Sequence, residues 1–366
     1  MTKASAKTSQ IPSLTSVKKI GLLRMLTVGE LMFSLPLIRA IRELAPQAEV
    51  VYLGADWHGQ FIEHCVPQVD RTIEVVADAI ELESWADKDY SKLEWLAEEK
   101  FDVLFQIHDD GTYGDKLVKA IKPAWSIGFS SNEHSPLHYK KFYDSTQHKT
   151  LALTELLEPW SIKKIDLHPP RLSITKEDES KAAAALRGSD RFVVVHPGGG
   201  DSRRYWPVER YAELCDWLSA QGYDVVAVGG RNEVSIVDRV QMSAKYSIKS
   251  LAGVTSLPST AAVIKRASIV IGNDSGPLHM ARTLNVPTVG LFPLASHTHA
   301  APMYTQNHRS ILSAITTCTK CGEDVFCRAW PSLDTDQNNA TACTHDVSLL
   351  DDISLADVQE AVVSLL

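Results

Sequence analysis

Short apolar runs alternate with amphipathic stretches along most of this chain. In the first half, the apolar runs predict strands at KKIGLLRML (18–26), AEVVYLGA (48–55), RTIEVV (71–76), FDVLFQIH (101–108) and WSIGFS (125–130). In the second half, they predict strands at RFVVVHPGGG (191–200), YDVVAVGG (223–230), SIVIGNDSG (268–276) and VPTVGLFP (286–293). Segments such as LPLIRAIRELAP (35–46) predict the helices between them. Because strand–helix alternation is typical of parallel sheets covered by helices on both faces, the pattern predicts an α/β fold.

The alternation pauses around residues 166–190, where Pro169-Pro170 precedes a charged stretch. This pause predicts a boundary between a domain at 17–170 and a second domain at 171–366, each long enough to bury its own core. Residues 1–16 are polar, lack the apolar core of a secretory signal and are expected to form a disordered tail. The predicted architecture is two doubly wound, Rossmann-like domains that face each other across a cleft.

Charge and hydropathy narrow the classes of function. The formal net charge is −8, so no basic excess is available to neutralise the phosphates of a nucleic acid, although a single diphosphate needs only a local basic pocket. No apolar stretch approaches the roughly 18–20 residues that span a bilayer. We therefore expect a cytoplasmic protein that binds no nucleic acid, with peripheral association at the inner membrane as an alternative.

The loop VVVHPGGGDSRRYWP joins a predicted strand to a predicted helix through three consecutive glycines. Glycines such as Gly199 and Gly200 let backbone N–H groups approach an anion closely, and Arg204 can clamp phosphate oxygens in a fork. This order of strand, glycines, basic residues and helix suits a phosphate. A flexible surface loop is the alternative.

Two further strand ends carry polar residues that suit the same ligand. Asp274, Ser275 and Gly276 precede a helix that carries His279 about one turn in, which predicts a helix-start anion site, whereas simple capping and a packed histidine are the alternatives. Glu233 follows Gly229-Gly230 and can accept hydrogen bonds from a ribose or favour a helix dipole. The chain lacks both the dinucleotide fingerprint and the P-loop motif.

The first half carries a candidate acceptor site. Glu30 follows Gly29 after the first predicted strand, and Arg24 together with Asp109 and Asp110 in QIHDDGTYGDK is expected at the same rim. A carboxylate there can take the proton of an acceptor hydroxyl. A first-turn helix acid and solvated loop residues are the alternatives.

Four cysteines, Cys318, Cys321, Cys327 and Cys343, cluster late in the chain. The first two have the C-x2-C spacing that lets two thiolates face one metal ion, and four thiolates complete a tetrahedron. The spacing favours a structural zinc or iron, with disulfides and free thiols as alternatives. A catalytic role is not expected because a closed site leaves no ligand position open.

These loops together resemble the heptosyltransferase-like family of glycosyltransferases, family 9, over residues 18–363. The most specific segments are HPGGGDSRRYWPVERYAELCDWL, VGGRNE and LAGVTSLPSTAAVIKRASIVIGNDSGPLHMARTLNVPTVGLF. The resemblance implies the GT-B fold, with a nucleotide-sugar donor in the C-terminal domain and the acceptor in the N-terminal one. It assigns the diphosphate to Gly199, Gly200 and Arg204, the ribose to Glu233, the adenine to Thr255, and the donor sugar and phosphates to Asp274, Ser275, Gly276 and His279.

One position departs from the family pattern, which has Gly-Asp after the first strand, the aspartate being the proposed catalytic base. Here Glu30 adds one methylene. Because a misplacement of about 1 Å can cost about a hundredfold in rate, the site must be adjusted to the longer side chain.

The resemblance implies an inverting glycosyltransferase that needs no catalytic metal and moves heptose from an ADP-heptose-like donor to a lipopolysaccharide core or other glycan hydroxyl. Glu30 would be the base, and Arg204 would stabilise the leaving phosphate. Three alternatives stay open: a protein-directed heptosyltransferase, a sugar-nucleotide epimerase of similar fold, and a nucleotide-binding protein without catalysis. The sequence identifies neither the acceptor nor the oligomeric state.

Overall fold

The computed structural model describes residues 10–76, 90–108, 110–144, 146–162, 164–189, 191–323 and 345–366. The chain divides into two compact units, Met1–Ser173 and Ile174–Leu366, referred to as unit 1 and unit 2. Each unit contains one six-stranded sheet with helices between its strands. Among the described helices, none combines the length and apolarity that crossing a membrane would require.

Unit 1 has a sheet whose described strand pairs are all parallel. Its strands are β1 (Lys19–Leu23), β2 (Glu49–Ala55), β3 (Arg71–Val76), β4 (Val103–Gln106), β5 (Trp125–Phe129) and β6 (Tyr139–Lys141). Its α-helices are α1 (Val28–Leu44), α2 (Asp56–Cys65), α3 (Gly114–Ile121) and α4 (Lys149–Thr154), with 3₁₀ segments at Tyr90–Glu99 and Glu155–Trp160. The strand order is β3-β2-β1-β4-β5-β6.

Unit 2 repeats this construction with parallel pairs throughout its described sheet. Its strands are β7 (Phe192–His196), β8 (Asp224–Ala227), β9 (Lys249–Ser250), β10 (Val270–Asn273), β11 (Thr288–Pro293) and β12 (His308–Ser313). Its α-helices are α5 (Lys176–Leu186), α6 (Val208–Ala220), α7 (Val234–Ser243), α8 (Leu257–Arg266), α9 (Gly276–Thr283), α10 (Leu294–Ala300) and α11 (Leu355–Val363), with 3₁₀ turns at Ser202–Arg204 and Arg231–Glu233. The strand order is β12-β11-β10-β7-β8-β9.

Both sheets have the Rossmann order, in which the first and fourth strands lie side by side and the winding direction reverses between them. Ligands of open α/β sheets bind beyond the carboxyl ends of the strands at this switch point. In unit 1 the switch point lies between β1 and β4, and in unit 2 it lies between β7 and β10. The fold therefore directs attention to the loops after these four strands.

The predicted α/β class with parallel sheets is confirmed, and each of the nine predicted strands contains an observed one. The buried apolar runs were predictable because parallel strands are covered on both faces. The predicted inner face of α6 is confirmed too, since Tyr211, Leu214 and Leu218 pack into the core of unit 2. Three strands, β6, β9 and β12, were not predicted. They are short or mixed in polarity, and each lies at or near a sheet edge, where burial is weaker.

Candidate functional site

A buried asparagine, Asn273, joins the loops that follow β7 and β10 in unit 2. Its Nδ2 donates to the carbonyl oxygens of Pro197 (2.8 Å) and Gly198 (3.1 Å). Its Oδ1 accepts from the backbone N–H of Trp206 (3.2 Å) and the hydroxyl of Tyr211 (3.0 Å). All hydrogen-bonding positions of the amide are used. The loop at residues 197–200, which we call the glycine loop, is therefore fixed relative to the end of β10. Asn273 was not predicted as a site residue. The only indication in the sequence was that a polar residue ends an apolar strand.

The glycine loop is built around a carboxylate. A Cβ atom on Gly198 would lie 2.3 Å from Oε1 of Glu233, so only glycine fits there without movement. Gly199 has a φ of +153°, and its carbonyl oxygen accepts a 2.6 Å hydrogen bond from Tyr205. A Cβ atom on Gly200 would be 3.6 Å from Nη2 of Arg204, which brings this guanidinium beside the loop. These contacts disfavour the alternative of a flexible surface loop.

Glu233 is held by groups from two neighbouring loops. Its Oε1 lies 3.1 Å from Nε2 of His196, in a geometry that does not make a good hydrogen bond. Its Oε2 accepts a 2.6 Å hydrogen bond from the backbone N–H of Gly230. Burial raises the pKa of Glu233, but His196 and the N–H groups of Gly230 and Gly199 outweigh it and lower the pKa to about 2. Glu233 is therefore ionised at neutral pH, and two of the lone pairs that could bind a ribose are in use.

His196 also contacts the third predicted loop. Its Nδ1 lies 2.8 Å from Oγ of Ser275. Ser275 is the N-cap residue of α9, yet its hydroxyl caps no N–H of that helix and instead lies 2.9 Å from the carbonyl oxygen of Asn273. Simple capping therefore does not describe Ser275. Sequence reasoning missed His196 because it ends an apolar strand and only the fold brings it between two loops.

Asp274 links the glycine loop to α9. Its buried carboxylate lies 3.4 Å from Nη1 of Arg204 through Oδ2 and 2.9 Å from Nε2 of His279 through Oδ1. Its backbone N–H donates to Leu291 of β11 at 3.0 Å. The structure thus brings together three residues that the sequence predicted for donor binding.

Thr255 lies just before α8, on the loop that follows β9. Its hydroxyl is 2.7 Å from that of Thr260. The same loop packs against the turn that carries Glu233, because the N–H of Gly253 donates to Gly229 at 2.9 Å. Thr255 is therefore placed on the β8 side of the loop cluster.

Glu30 in unit 1 lies between two cations. Oε2 contacts a guanidinium nitrogen of Arg24, and Oε1 contacts the ammonium group of Lys149, which begins α4. Arg24 also donates to the carbonyl oxygen of Ile107, which follows β4. Burial raises the pKa of Glu30, but Lys149 and Arg24 outweigh it and lower the pKa to about 2. Glu30 belongs to the first turn of α1, as the alternative of a helix acid requires. Its side chain is only 12% exposed, however, so it is not a solvated surface residue.

Two buried polar atoms from β2 and α2 lie in the same neighbourhood. The hydroxyl of Tyr52 and Nε2 of His58 have no hydrogen-bond partner among the described residues. Burial lowers the pKa of His58 to about 3, and the Arg24 charge adds to this, so the imidazole is neutral. Burial likewise raises the pKa of Tyr52.

The predicted acidic loop is only partly described, because Asp109 lies outside the described residues. Asp110 accepts hydrogen bonds from the N–H (3.1 Å) and hydroxyl (2.7 Å) of Thr112 and from the hydroxyl of Ser131 (3.2 Å), so it shapes its own turn. Burial raises the pKa of Tyr143 to about 12, with Glu30 and Asp110 contributing. Asp110 and Glu30 thus both act on Tyr143.

The cysteine cluster contains an unpredicted histidine. Ligand atoms of Cys318, Cys321 and His345 all lie within 4.8 Å of one another, and Sγ of Cys318 is 3.6 Å from Nδ1 of His345. Gly322, with a φ of +74°, closes the turn by donating to the carbonyl oxygen of Cys318 at 2.8 Å. Cys327 and Cys343 lie outside the described residues. The signal for His345 was its position two residues after Cys343.

The segment after His345 is bonded to the turn that carries Arg204. Asp346 accepts from the hydroxyl of Ser202, Ser348 donates to the carbonyl oxygen of Tyr205, and the N–H of Leu349 donates to Arg203, each at 2.6 Å. The cysteine–histidine group thus adjoins the glycine-loop cluster of unit 2.

Comparison with known proteins gives consistent similarities. The family profile described as glycosyltransferase family 9 (heptosyltransferase) matches residues 94–326. The chain is 21% identical over 294 residues to the lipopolysaccharide core heptosyltransferase OpsX of Haemophilus influenzae, covering 78% of this chain and 82% of that protein. A glycosyl transferase family 9 structure from Veillonella parvula DSM 2008 matches with a TM-score of 0.77 and 20% identity, covering 97% of this chain and 98% of that one. The structure of E. coli ADP-heptose lps heptosyltransferase II matches with a TM-score of 0.73 and 20% identity, over 95% and 98%.

Proposed function

Because the chain belongs to glycosyltransferase family 9 (heptosyltransferase), we propose that it transfers heptose from an ADP-heptose donor to a hydroxyl of a lipopolysaccharide core or related glycan. In this proposal unit 2 binds the donor, and unit 1 supplies the base. The observation that carries it is the convergence of the glycine loop, Arg204 and the start of α9 at the switch point of unit 2. The name of OpsX supports heptose transfer to a lipopolysaccharide core, and that of heptosyltransferase II supports ADP-heptose as the donor.

Donor binding in this proposal centres on Arg204. Its contact with Asp274 is long at 3.4 Å and runs through Nη1, so the carboxylate can orient the guanidinium while a diphosphate binds to it. The backbone N–H of Gly200 and the start of α9 add donors that are already oriented, whereas the N–H of Gly199 bonds to Glu233. As the sugar leaves, these groups stabilise the charge that develops on the phosphate, and such preorganised stabilisation is typically worth about 3–4 kcal/mol per donor. Glu233 keeps lone pairs for the ribose, and no catalytic metal is required.

The transfer itself forms one bond and breaks another. The acceptor hydroxyl oxygen attacks the anomeric carbon from the face opposite the diphosphate, and its proton passes to Glu30. The bond to the phosphate oxygen breaks, and ADP leaves with the electron pair. The product therefore has the inverted anomeric configuration.

Glu30 needs activation before it can act as this base. A carboxylate with a pKa of about 2 is a weak proton acceptor at neutral pH. We infer that the acceptor, when it bonds to Arg24 or Lys149, loosens one of the two ion pairs and raises the pKa of Glu30.

The test combines binding and turnover of the purified protein. Calorimetric titration with ADP, UDP and GDP should show a preference for ADP. Incubation with ADP-heptose and a heptose-deficient core acceptor should release ADP and give a product whose anomeric configuration, read by NMR, is inverted. A new sugar isomer from the donor alone would favour an epimerase. ADP binding with no turnover on any glycan or protein acceptor would favour a binding protein.

We also propose that Cys318, Cys321 and His345 hold a structural zinc or iron ion, with Cys327 or Cys343 as the fourth ligand. Two thiolates and an imidazole nitrogen within 4.8 Å of one another are a donor set that suits either metal. The ion would supply folding free energy and fix the segment at 345–349 against the Arg204 turn. Elemental analysis of the purified protein tests this proposal.

A further inference from the structure

A chain of four polar side chains runs inward from the proposed diphosphate site. Arg204 contacts Oδ2 of Asp274, and Nε2 of His279 contacts Oδ1 of Asp274 at 2.9 Å. Behind the imidazole, Nη1 of Arg282 lies 3.2 Å from Nδ1 of His279 and donates to the carbonyl oxygen of Ala300 at 3.0 Å. Nothing in the proposed function uses Arg282.

The geometry determines where the proton of His279 lies. An arginine N–H can only donate, so Nδ1 of His279 must accept and carries no proton. The proton of a neutral imidazole is then on Nε2, where it donates to Asp274. An imidazolium would direct its Nδ1–H at the guanidinium, which the contact with Arg282 disfavours. Both ring nitrogens of His279 are thus engaged inside the protein.

Arg282 is held firmly at this position. Its guanidinium carbon is 5.1 Å from the centroid of the Phe292 ring, and its Nη2 would be 3.1 Å from a Cβ atom on Gly290. Its Nε and Nη2 are buried with no hydrogen-bond partner among the described residues. Burial lowers the pKa of Arg282 to about 10, partly opposed by Asp274, so the residue is a cation at neutral pH.

We propose that Arg282 is a positioning residue for donor binding, which fixes the Nε2–H tautomer of His279 and thereby holds Asp274 toward Arg204. His279 then acts through Asp274 and does not touch the donor. The inference rests on the proposed function only in naming the diphosphate as the ligand of Arg204. Its chemical basis, the position of one proton, is independent of sugar transfer.

Other titratable groups around this chain do not compete for the role. Burial lowers the pKa of His297 on α10, and burial lowers that of His308 on β12 to about 4, with the Arg282 charge adding to both. Both imidazoles are therefore neutral at physiological pH. The charged groups Arg282 and Asp274 contact His279, and Arg204 lies beyond Asp274. Arg309 also lowers the pKa of His308.

The first measurement is ¹⁵N NMR of histidine-labelled full-length protein, with the His279 signals assigned from a His279→Gln spectrum. We expect a neutral Nε2–H imidazole that stays neutral from about pH 8 to about pH 6, where exposed histidines titrate. An imidazolium or an Nδ1–H tautomer at His279 in the wild-type protein overturns the proposal.

The second measurement compares variants by ADP titration and by the same NMR signals. In Arg282→Met, His279 loses the donor at Nδ1, becomes protonated beside Asp274, and ADP binds about tenfold more weakly, as when one hydrogen bond to a charged group is lost. Arg282→Lys keeps a cationic donor and should restore the tautomer and most of the affinity. Arg266→Met, an exposed arginine at the end of α8, is the matched control and should match wild type.

Two results would contradict the role of Arg282: a folded Arg282→Met protein with wild-type tautomer and affinity, or Lys and Met variants that are equally impaired. If the wild-type protein shows the expected His279 tautomer and ADP affinity but transfers no heptose, the result counts against the proposed function alone.

Discussion

Lys149 places its ammonium group against Oε1 of Glu30, although the two residues are 119 positions apart in the sequence. Together with Arg24 on Oε2, it makes this carboxylate a well-ordered anion with a pKa of about 2. A carboxylate with two partners also occurs in unit 2, where Asp274 contacts both Arg204 and His279. In both units the residues proposed for chemistry are therefore paired with groups of opposite charge or with a hydrogen-bond donor.

The lowered carboxylate pKa values should be visible as acid destabilisation. The ordinary pKa of a glutamate is 4.5, and Glu30 and Glu233 both lie at about 2 in the folded chain. Their stabilisation is therefore fully present above about pH 4.5 and is lost as the pH falls toward 2. We expect Glu30→Gln to make the free energy of unfolding fall less steeply over this range, as measured by urea unfolding at a series of pH values. Glu177→Gln, which changes an exposed first-turn acid of α5, should keep the wild-type slope, and a wild-type slope in Glu30→Gln would refute the assignment.

Arg204 and its neighbour Arg203 form a matched pair for the diphosphate assignment. Arg204→Ala should weaken ADP binding by about 1.5–3 kcal/mol, the usual range for a hydrogen bond to a charged group. Arg203 pairs with Asp201 at 2.7 Å within its own turn, so Arg203→Ala should bind ADP nearly as wild type does. Calorimetric titration of both variants with ADP distinguishes the two arginines. Equal losses of ADP affinity would mean that the whole turn, and not Arg204, determines ADP binding.

The glycine loop offers a second pair. An alanine at 198 would bring a Cβ to 2.3 Å from Glu233, whereas an alanine at 200 would meet only Arg204, at 3.6 Å. Gly198→Ala should therefore lower both the melting temperature and the ADP affinity, while Gly200→Ala keeps the melting temperature of wild type. Thermal unfolding with and without ADP measures both effects. Equal melting temperatures for the two variants would show that the loop adapts to the added methyl group.

The cysteine–histidine group should contain about one metal ion per chain. Cys318→Ser should lose the metal and lower the melting temperature, because the binding free energy of a structural metal is folding free energy. It should also weaken ADP binding several-fold, since residues 346–349 hold the turn that carries Arg204. Cys65→Ser in unit 1 should keep its metal. Wild-type protein with neither zinc nor iron by elemental analysis would end this proposal.

Most of the fold could be predicted from the sequence, as could the loops that we propose for the donor site, and the reasons are physical. Strands such as β7 and β10 are continuous apolar runs because parallel strands are buried on both faces, so pattern alone located them. The loops after them were recognisable because glycines beside charged residues at strand ends suit anions. That Arg204, Asp274 and His279 meet follows from strand order, which places β10 beside β7.

The residues that sequence reasoning missed depend on contacts between distant segments. His196 ends a predicted strand, and nothing in the sequence distinguished Lys149 or Arg282 from other basic residues. Their roles appear only when the fold places them against Glu233, Glu30 and His279. Single-residue chemistry does not reveal a partner that is 37 or 119 positions away.

The base assignment is the centre of the account, and turnover by Glu30→Gln tests it most directly. The substitution keeps size and polarity but removes the proton acceptor, so kcat should fall by about 10²–10⁴. ADP affinity should stay within a few-fold of wild type, because the proposed nucleotide site lies in unit 2. Glu30→Asp restores the residue typical of the family and shows whether the site is built around the longer side chain. Near-normal turnover by Glu30→Gln, with ADP-heptose and acceptor both saturating, would contradict the account and leave Glu30 as a structural partner of Arg24 and Lys149.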